Sequence, residues 1–314
     1  MPSTPKLGII LPEGEGDLDG RTPRWSDYVA MARLTEEAGF DSLWFVDHLI
    51  YRNDVSGRPR QGAWECWSIL TALAAVTSRA DLGSLVSPTA FRSPALFAKM
   101  ADTIDEISGG RLIVGIGAGW NEIEYRMFGF PFDHRVDRFA EAFTIIRTLL
   151  ADGAIDFEGQ YYTARDCELR PRGPRPQGPP IMIGSQGPRM LRLTLPHVPL
   201  WNGWLAAASS YPDAYPPLRD LVDAACRDVG RDPATVERTI SISVDPSGRR
   251  EWPKHWHIND DLREARPLTG SVQEIAAGLR GFGEQGVSHL QLYPIPPTLA
   301  TIEALGPILA EARR

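Results

Sequence analysis

Short runs of large apolar residues alternate along the chain with segments whose apolar positions recur every three or four residues, and these two periods mark strands and helices. Runs at 7–11, 42–46, 82–87, 112–116, 181–184, 198–204, 239–244 and 289–293 predict eight strands. Several are almost continuously apolar, as strands become when helices cover one face and barrel packing fills the other. Between them, Leu96, Met100, Ile104 and Ile107 form one predicted helical stripe, and Phe139, Phe143, Ile146 and Leu150 another.

Strand and helix patterns in strict alternation imply parallel strands joined by right-handed crossovers. Eight such units in 314 residues predict one (β/α)₈ TIM-barrel domain spanning 1–314, with a doubly wound open sheet as the other architecture that fits. Two stretches break the alternation. Residues 157–180 are dense in Pro, Gly and Arg and read as an insertion before strand five. Residues 246–269, carrying Trp252, His255, Trp256 and His257, interrupt the chain between strands seven and eight.

Composition narrows the partners. The chain is 43% hydrophobic and 23% charged, ordinary for a globular protein, and its formal charge of -7 argues against nucleic acid and anionic lipid surfaces. No export signal is recognisable at the N-terminus and no apolar run approaches the ~20 residues of a membrane span, so a cytoplasmic protein is expected. Three widely spaced cysteines, Cys66, Cys167 and Cys226, suggest neither a disulfide framework nor a zinc site, and read as buried free thiols.

In a barrel of this kind chemistry sits on the loops after the strands. Strand two ends in Asp47-His48, a carboxylate beside an imidazole, which suits general acid/base work; a helix cap and a loop histidine is the plainer reading. Strand three runs through Ser84-Leu85-Val86 into Pro88, where a bulge could bring backbone toward a flat ligand or the strand could simply end. After strand four, Gly115-Ile116-Gly117-Ala118-Gly119-Trp120-Asn121 has glycines but neither the position nor the acidic partner of a dinucleotide loop. Here the glycines are expected to let Trp120 and Asn121 line a pocket, with packing as the alternative role for Trp120. Gly184-Ser185-Gln186-Gly187-Pro188-Arg189, entering a helix after strand five, reads as an anion site or as an ordinary turn. His255-Trp256-His257 lacks further ligands nearby and is not expected to hold a metal.

Taken together, 38–44 (Ala-Gly-Phe-Asp-Ser-Leu-Trp) with Asp47-His48, Arg92-Ser93-Pro94-Ala95-Leu96, Ser108-Gly109-Gly110-Arg111-Leu112 into 115–120, Phe157-Glu158-Gly159-Gln160-Tyr161-Tyr162 and Pro179-Pro180-Ile181-Met182-Ile183-Gly184 resemble the luciferase-like monooxygenase superfamily across nearly the whole chain. The resemblance implies a (β/α)₈ barrel that binds reduced FMN or the deazaflavin coenzyme F420, as a homodimer or larger homo-oligomer. It places the cofactor ring against a bulge formed by Ser84, Leu85 and Val86, with a non-prolyl cis peptide expected at Ser84-Leu85. Phosphate contacts fall on Gly184, Ser185, Gln186 and Gly187, with Arg189 added. His48 takes the place beside the hydride-transfer centre and Asp47 the cofactor side. From the residues themselves Tyr51, Trp120 and Asn121 are expected on the substrate side, with core packing as the other role for the aromatics. Two departures stand out: Trp120 where deazaflavin sugar-phosphate dehydrogenases carry a catalytic glutamate, and Ala118 where bacterial luciferase carries a phosphate-binding arginine.

The leading expectation is therefore an F420-dependent oxidoreductase exchanging hydride with a small organic substrate, His48 moving the accompanying proton. An FMN-dependent monooxygenase using O₂, with a separate reductase as partner, is the main alternative. A metal-dependent barrel hydrolase, for which the end of strand one lacks a His-x-His, and a non-catalytic flavin-binding protein are the lesser ones.

Overall fold

The computed structural model describes residues 4–51, 61–249 and 265–314. Its centre is a ring of parallel strands: β1 (Lys6–Ile10), β2 (Ser42–Phe45), β3 (Asp81–Ser84), β4 (Leu112–Gly117), β5 (Ile181–Ile183), β6 (Leu200–Trp204), β7 (Glu237–Asp245) and β8 (Val287–Pro294). Each pairs with the next, and β8 pairs back onto β1, so the sheet closes without a free edge. That closure establishes the expected (β/α)₈ barrel and excludes the open doubly wound sheet. Among the described residues the helices are α1 (Trp25–Ala38), α2 (Cys66–Val76), α3 (Pro94–Ser108), α4 (Glu122–Phe128), α5 (Arg135–Asp152), α6 (Pro188–Thr194), α7 (Pro216–Asp228), α8 (Val272–Glu284) and α9 (Leu299–Ala312).

Local chemistry sets the element ends. Glu65 accepts hydrogen bonds from the Trp67 and Ser68 amides to start α2, and a Ser271/Glu274 capping box starts α8. The Ser-Gly-Gly-Arg segment before β4 ends α3 on left-handed Gly109 (φ 68°) and aims Arg111 at the carbonyls of Ala74, Thr77, Ala80 and Ser108. One guanidinium thereby satisfies the loose C-terminal end of α2 and pins it to the strand layer. The chain ends meet: Thr4 Oγ1 donates to the Ala312 carbonyl at 2.9 Å, and Arg313 reaches Gly39 and Asp41.

Helix facing differs from expectation in α3. Leu96 and Ile107 are 55% and 43% exposed, and the buried face is Phe97, Ala98, Ala101, Ile104 and Asp105. Small alanines let α3 approach its neighbours closely, and Asp105 is buried because Arg175 pairs with it. The α5 stripe of Phe139, Phe143, Ile146 and Leu150 is buried as predicted. The insertion before β5 begins as an antiparallel hairpin, Ala154–Glu158 with Thr163–Glu168, before turning irregular. Trp252, His255, Trp256 and His257 lie outside the described residues. Cys66 and Cys226 are buried and Cys167 is half-buried, all three unpaired.

Inside the barrel, Trp44 fills the floor with Ile10, Ile113, Met182 and Leu200. Its indole N–H donates to Ser42 Oγ at 2.7 Å, which in turn lies 2.7 Å from His289 Nε2. Burial pushes His289 down to about 3, so it stays neutral in this layer.

The β3–β4 ladder breaks where the site begins. Strand pairing runs through Gly83↔Ile113, stops, and resumes at Ser87↔Ile116. In the gap Ser84 Oγ donates to the Gly115 carbonyl at 2.8 Å and accepts from its amide at 3.1 Å, replacing the missing rungs. The cis peptide is Leu85–Val86, one position beyond the expected Ser84–Leu85, because the Leu85 amide still bonds the Phe45 carbonyl at 2.9 Å. A Cβ on Gly115 would drive into the Ser84 carbonyl oxygen. Gly115→Ala is accordingly expected to destabilise the barrel by about 1–3 kcal/mol in urea unfolding; a midpoint equal to wild type would show that the bulge tolerates a side chain there.

Candidate active site

The C-terminal ends of the strands open into a cavity of about 580 Å³, within the range of small-molecule sites. Its wall at β3 is the bulge itself. Val86 lies where Cβ atoms on Gly117 and Gly184 would come to 3.1 and 2.9 Å, so glycines at the ends of β4 and β5 keep that space open. Gly115 and Gly117 of β4 thus accommodate the bulge rather than turning Trp120 and Asn121 inward as a pair. Gly119 also adopts φ 73°, and any side chain there would meet the Tyr125 hydroxyl.

His48 sits on the same rim, its ring 4.5 Å from that of Tyr51 and 5.6 Å from that of Trp120, centroid to centroid. Its Nδ1 lies 2.9 Å from Glu124 Oε2 on α4, while Glu124 Oε1 accepts from the Leu49 amide at 2.6 Å and the Ile50 amide at 3.1 Å. Since the carboxylate only accepts, Nδ1 carries a proton, and Nε2 makes no hydrogen bond among the described residues. Burial disfavours the imidazolium, but the Glu124 hydrogen bond and charge, backed by Glu13 and Asp47, outweigh it and hold His48 above its ordinary value.

Asp47 is buried and lies against Arg92, with Nη1 to Oδ2 at 2.6 Å and Nη2 to Oδ1 at 3.2 Å. Arg92 also bonds Glu65, so this arginine of the Arg-Ser-Pro segment ties β2 to the start of α2. Glu13, at the end of β1, lines the cavity too. Its side chain is pushed up to about 7 chiefly by burial, with His48 pulling it down and Asp17 pushing it up.

Of the residues singled out from sequence, Asp47, His48, Tyr51, Leu85, Val86, Trp120, Gly184, Ser185 and Gln186 line this one cavity. Ser84, Asn121, Gly187 and Arg189 do not. Ser84 is committed to Gly115; Asn121 Nδ2 donates to the Ile50 carbonyl at 3.2 Å. Gly187 caps α6 with its amide toward Ser185 Oγ at 3.4 Å, and the exposed Arg189 pairs with Asp137 of α5. Sequence reasoning missed Glu13, Arg92 and Glu124. A carboxylate closing strand one was a usable signal for Glu13, whereas nothing local links His48 to a residue 76 positions away. Among the described residues no cluster of side chains suited to a metal ion occurs.

Residues 6–252 match the luciferase-like monooxygenase family. The chain is 35% identical over 215 residues to the 5,10-methylenetetrahydromethanopterin reductase of Archaeoglobus fulgidus, covering 68% of this chain and 59% of that enzyme. It is 28% identical over 290 residues to the F420-dependent glucose-6-phosphate dehydrogenase of Kineococcus radiotolerans, covering 81% and 83%. To the pyrimidine monooxygenase RutA of Cronobacter sakazakii it is 30% identical over 217 residues, covering 67% and 62%. The first and third of these matches span less than two thirds of the relative's own length.

Glu124→Gln removes the charge behind the imidazole while keeping an acceptor. The His48 titration, followed by ¹⁵N NMR, is expected to move to lower pH in this variant; an unmoved titration would show that Glu124 does not support the imidazolium.

Proposed function

Because this chain belongs to the luciferase-like monooxygenase family, we propose that it is an oxidoreductase that binds a flavin-type cofactor, F420 in preference to FMN, and exchanges hydride with a small organic substrate. The observation that carries this reading is the cavity wall built by Leu85 and Val86, cleared by Gly117 and Gly184 and set beside His48. A flat ring suits such a wall, since a bulged backbone flanked by glycines offers an apolar surface with no side chain projecting from the neighbouring strands. In this reading Leu85 and Val86 support the ring, and the turn Gly184-Ser185-Gln186 holds the phosphate-bearing tail.

Either cofactor, when bound, supplies the two-electron chemistry, and the protein supplies orientation and proton handling. His48 is the proton-transfer residue. Glu124 fixes its tautomer, Nε2 faces the ligand space, and its raised affinity for a proton lets it act as an acid near neutral pH. Tyr51 and Trp120 form the substrate side, Trp120 from a position 55% exposed at the rim. Arg92 holds Asp47 and so fixes the strand-two loop that carries His48.

F420 is favoured because a relative aligned over 81% of the chain is named as F420-dependent. FMN with O₂ and a partner reductase is the second reading, supported by the similarity to RutA. We take residues 1–314 as one catalytic domain acting in the cytoplasm as a homodimer or larger homo-oligomer, for which the exposed Leu96 and Ile107 of α3 offer apolar surface.

Titrating the apo-protein with F420 and with FMN, read by cofactor fluorescence, is expected to give saturable F420 binding. Tight FMN binding without F420 binding would replace hydride exchange by the monooxygenase reading, and binding of neither would remove both. With cofactor bound, His48→Ala is expected to slow turnover by about 10²–10⁴-fold. Unchanged turnover would take His48 out of the mechanism.

A further inference from the structure

The acidic groups around the cavity differ in one respect. Asp47 is held by Arg92, Glu124 by His48 and two amides, and Asp17 accepts from the Glu13 and Gly14 amides at 2.9 and 2.8 Å. Glu13 is only 3% exposed and lines the cavity, yet its Oε2 has no hydrogen-bond partner. Its backbone is fixed by the Asp17 contact and by the Trp64 amide on its carbonyl at 2.9 Å, so the side chain is held in place rather than free to leave. The Tyr51 hydroxyl, from the strand-two loop, lies beside it in the cavity wall. A buried oxygen without a partner, on a side chain that lines a cavity, favours a ligand contact there, because burial without one is unfavourable.

We propose, building on the oxidoreductase reading, that Glu13 is a second substrate-facing acid–base residue, whose protonated carboxyl donates a hydrogen bond to an uncharged, acceptor-bearing substrate such as a carbonyl or amide compound. The groups that face it favour this form. Burial and the charges of Asp17 and Glu124 oppose a further negative charge there and outweigh His48 and the Tyr51 hydroxyl, which favour ionisation, while Tyr28 and Tyr293 are neutral neighbours. Among the described residues no lysine or arginine lines the cavity. An anionic substrate would therefore bring its charge toward Glu13, Asp47 and Glu124, with His48 as the one lining group among the described residues able to carry a positive charge, whereas a neutral acceptor takes the Glu13 hydrogen bond without that repulsion. With Glu13 titrating at about 7, it is a donor below neutral pH and a carboxylate above it, so affinity for a neutral acceptor should fall as pH rises.

The test begins on the apo-protein. In ¹³C NMR of protein labelled at glutamate side chains, one carboxyl is expected to titrate near neutrality in wild type and to be absent from Glu13→Gln, and His48 should titrate lower in that variant. A Glu13 titration in the ordinary carboxylate range, or an unmoved His48, would overturn the proposal. Glu13→Asp serves as the second variant should Glu13→Gln fail to fold, and is expected to retain a titrating carboxyl. Ligand-observed NMR with acetamide and acetate as an isosteric neutral and anionic pair should then show acetamide favoured at least fivefold in wild type and the preference lost in Glu13→Gln; equal binding of the two in wild type would also overturn it. Fluorescence titration of Glu13→Gln with F420 and FMN separates the two readings. Wild-type protein that binds neither cofactor refutes the oxidoreductase reading while leaving the Glu13 titration to stand or fall alone.

Discussion

Val86 and the two glycines it touches set the geometry on which the site depends. A closed eight-stranded barrel fills its own interior, here with Trp44 and its neighbours, so a ligand site is built at the mouth of the strands, and here β3 departs from the ladder at that level. The departure occurs after Ser84, where a hydroxyl takes over the backbone bonds that β3 and β4 no longer exchange. Gly115 makes room for the Ser84 carbonyl, and Gly117 and Gly184 make room for Val86. The glycines at the end of β4 are thus explained by sterics inside the barrel rather than by turning Trp120 and Asn121 into the pocket together.

Around that wall two buried carboxylates are matched by donors from other elements and Glu13 is the exception. Asp47 of the strand-two loop is held by Arg92, and Glu124 of α4 by His48 and the amides beside it. Such pairs are costly to bury and costly to break, so they hold the loops in register while the ligand space stays open. They also bias the chemistry, since His48 is kept able to carry a proton while its Nε2 has no hydrogen-bond partner among the described residues. Arg92 links Asp47 to Glu65 at the start of α2, which makes the strand-two loop an extension of the scaffold.

Legibility in the sequence followed the range of the interaction. Strand positions were readable because a barrel strand is a short apolar run whatever surrounds it, and His48 was readable because it ends such a run. The α5 stripe was readable because its large residues share one face. The α3 face was not, since Ala98 and Ala101 seek the closest approach while Leu96 and Ile107 stay outside. Arg189 illustrates the converse: a cation at a glycine turn suggests an anion site, but Asp137 of α5 lies within its reach and takes it. The hairpin at Ala154–Glu158 was hidden by the proline and arginine content of the segment that follows it.

By itself the sequence determined the order of strands and helices, their approximate limits, and the set of polar residues delivered to the strand ends, because these follow from local periodicity and chain connectivity. The tertiary structure alone decided which of those polar residues share a cavity, which nitrogen of His48 carries its proton, and that a buried Glu13 oxygen is left without a partner among the described residues. The reason is physical. A side chain's partner is chosen by distance in space and by desolvation, and both depend on how the ring closes β8 onto β1 and where α4 comes to rest on the rim.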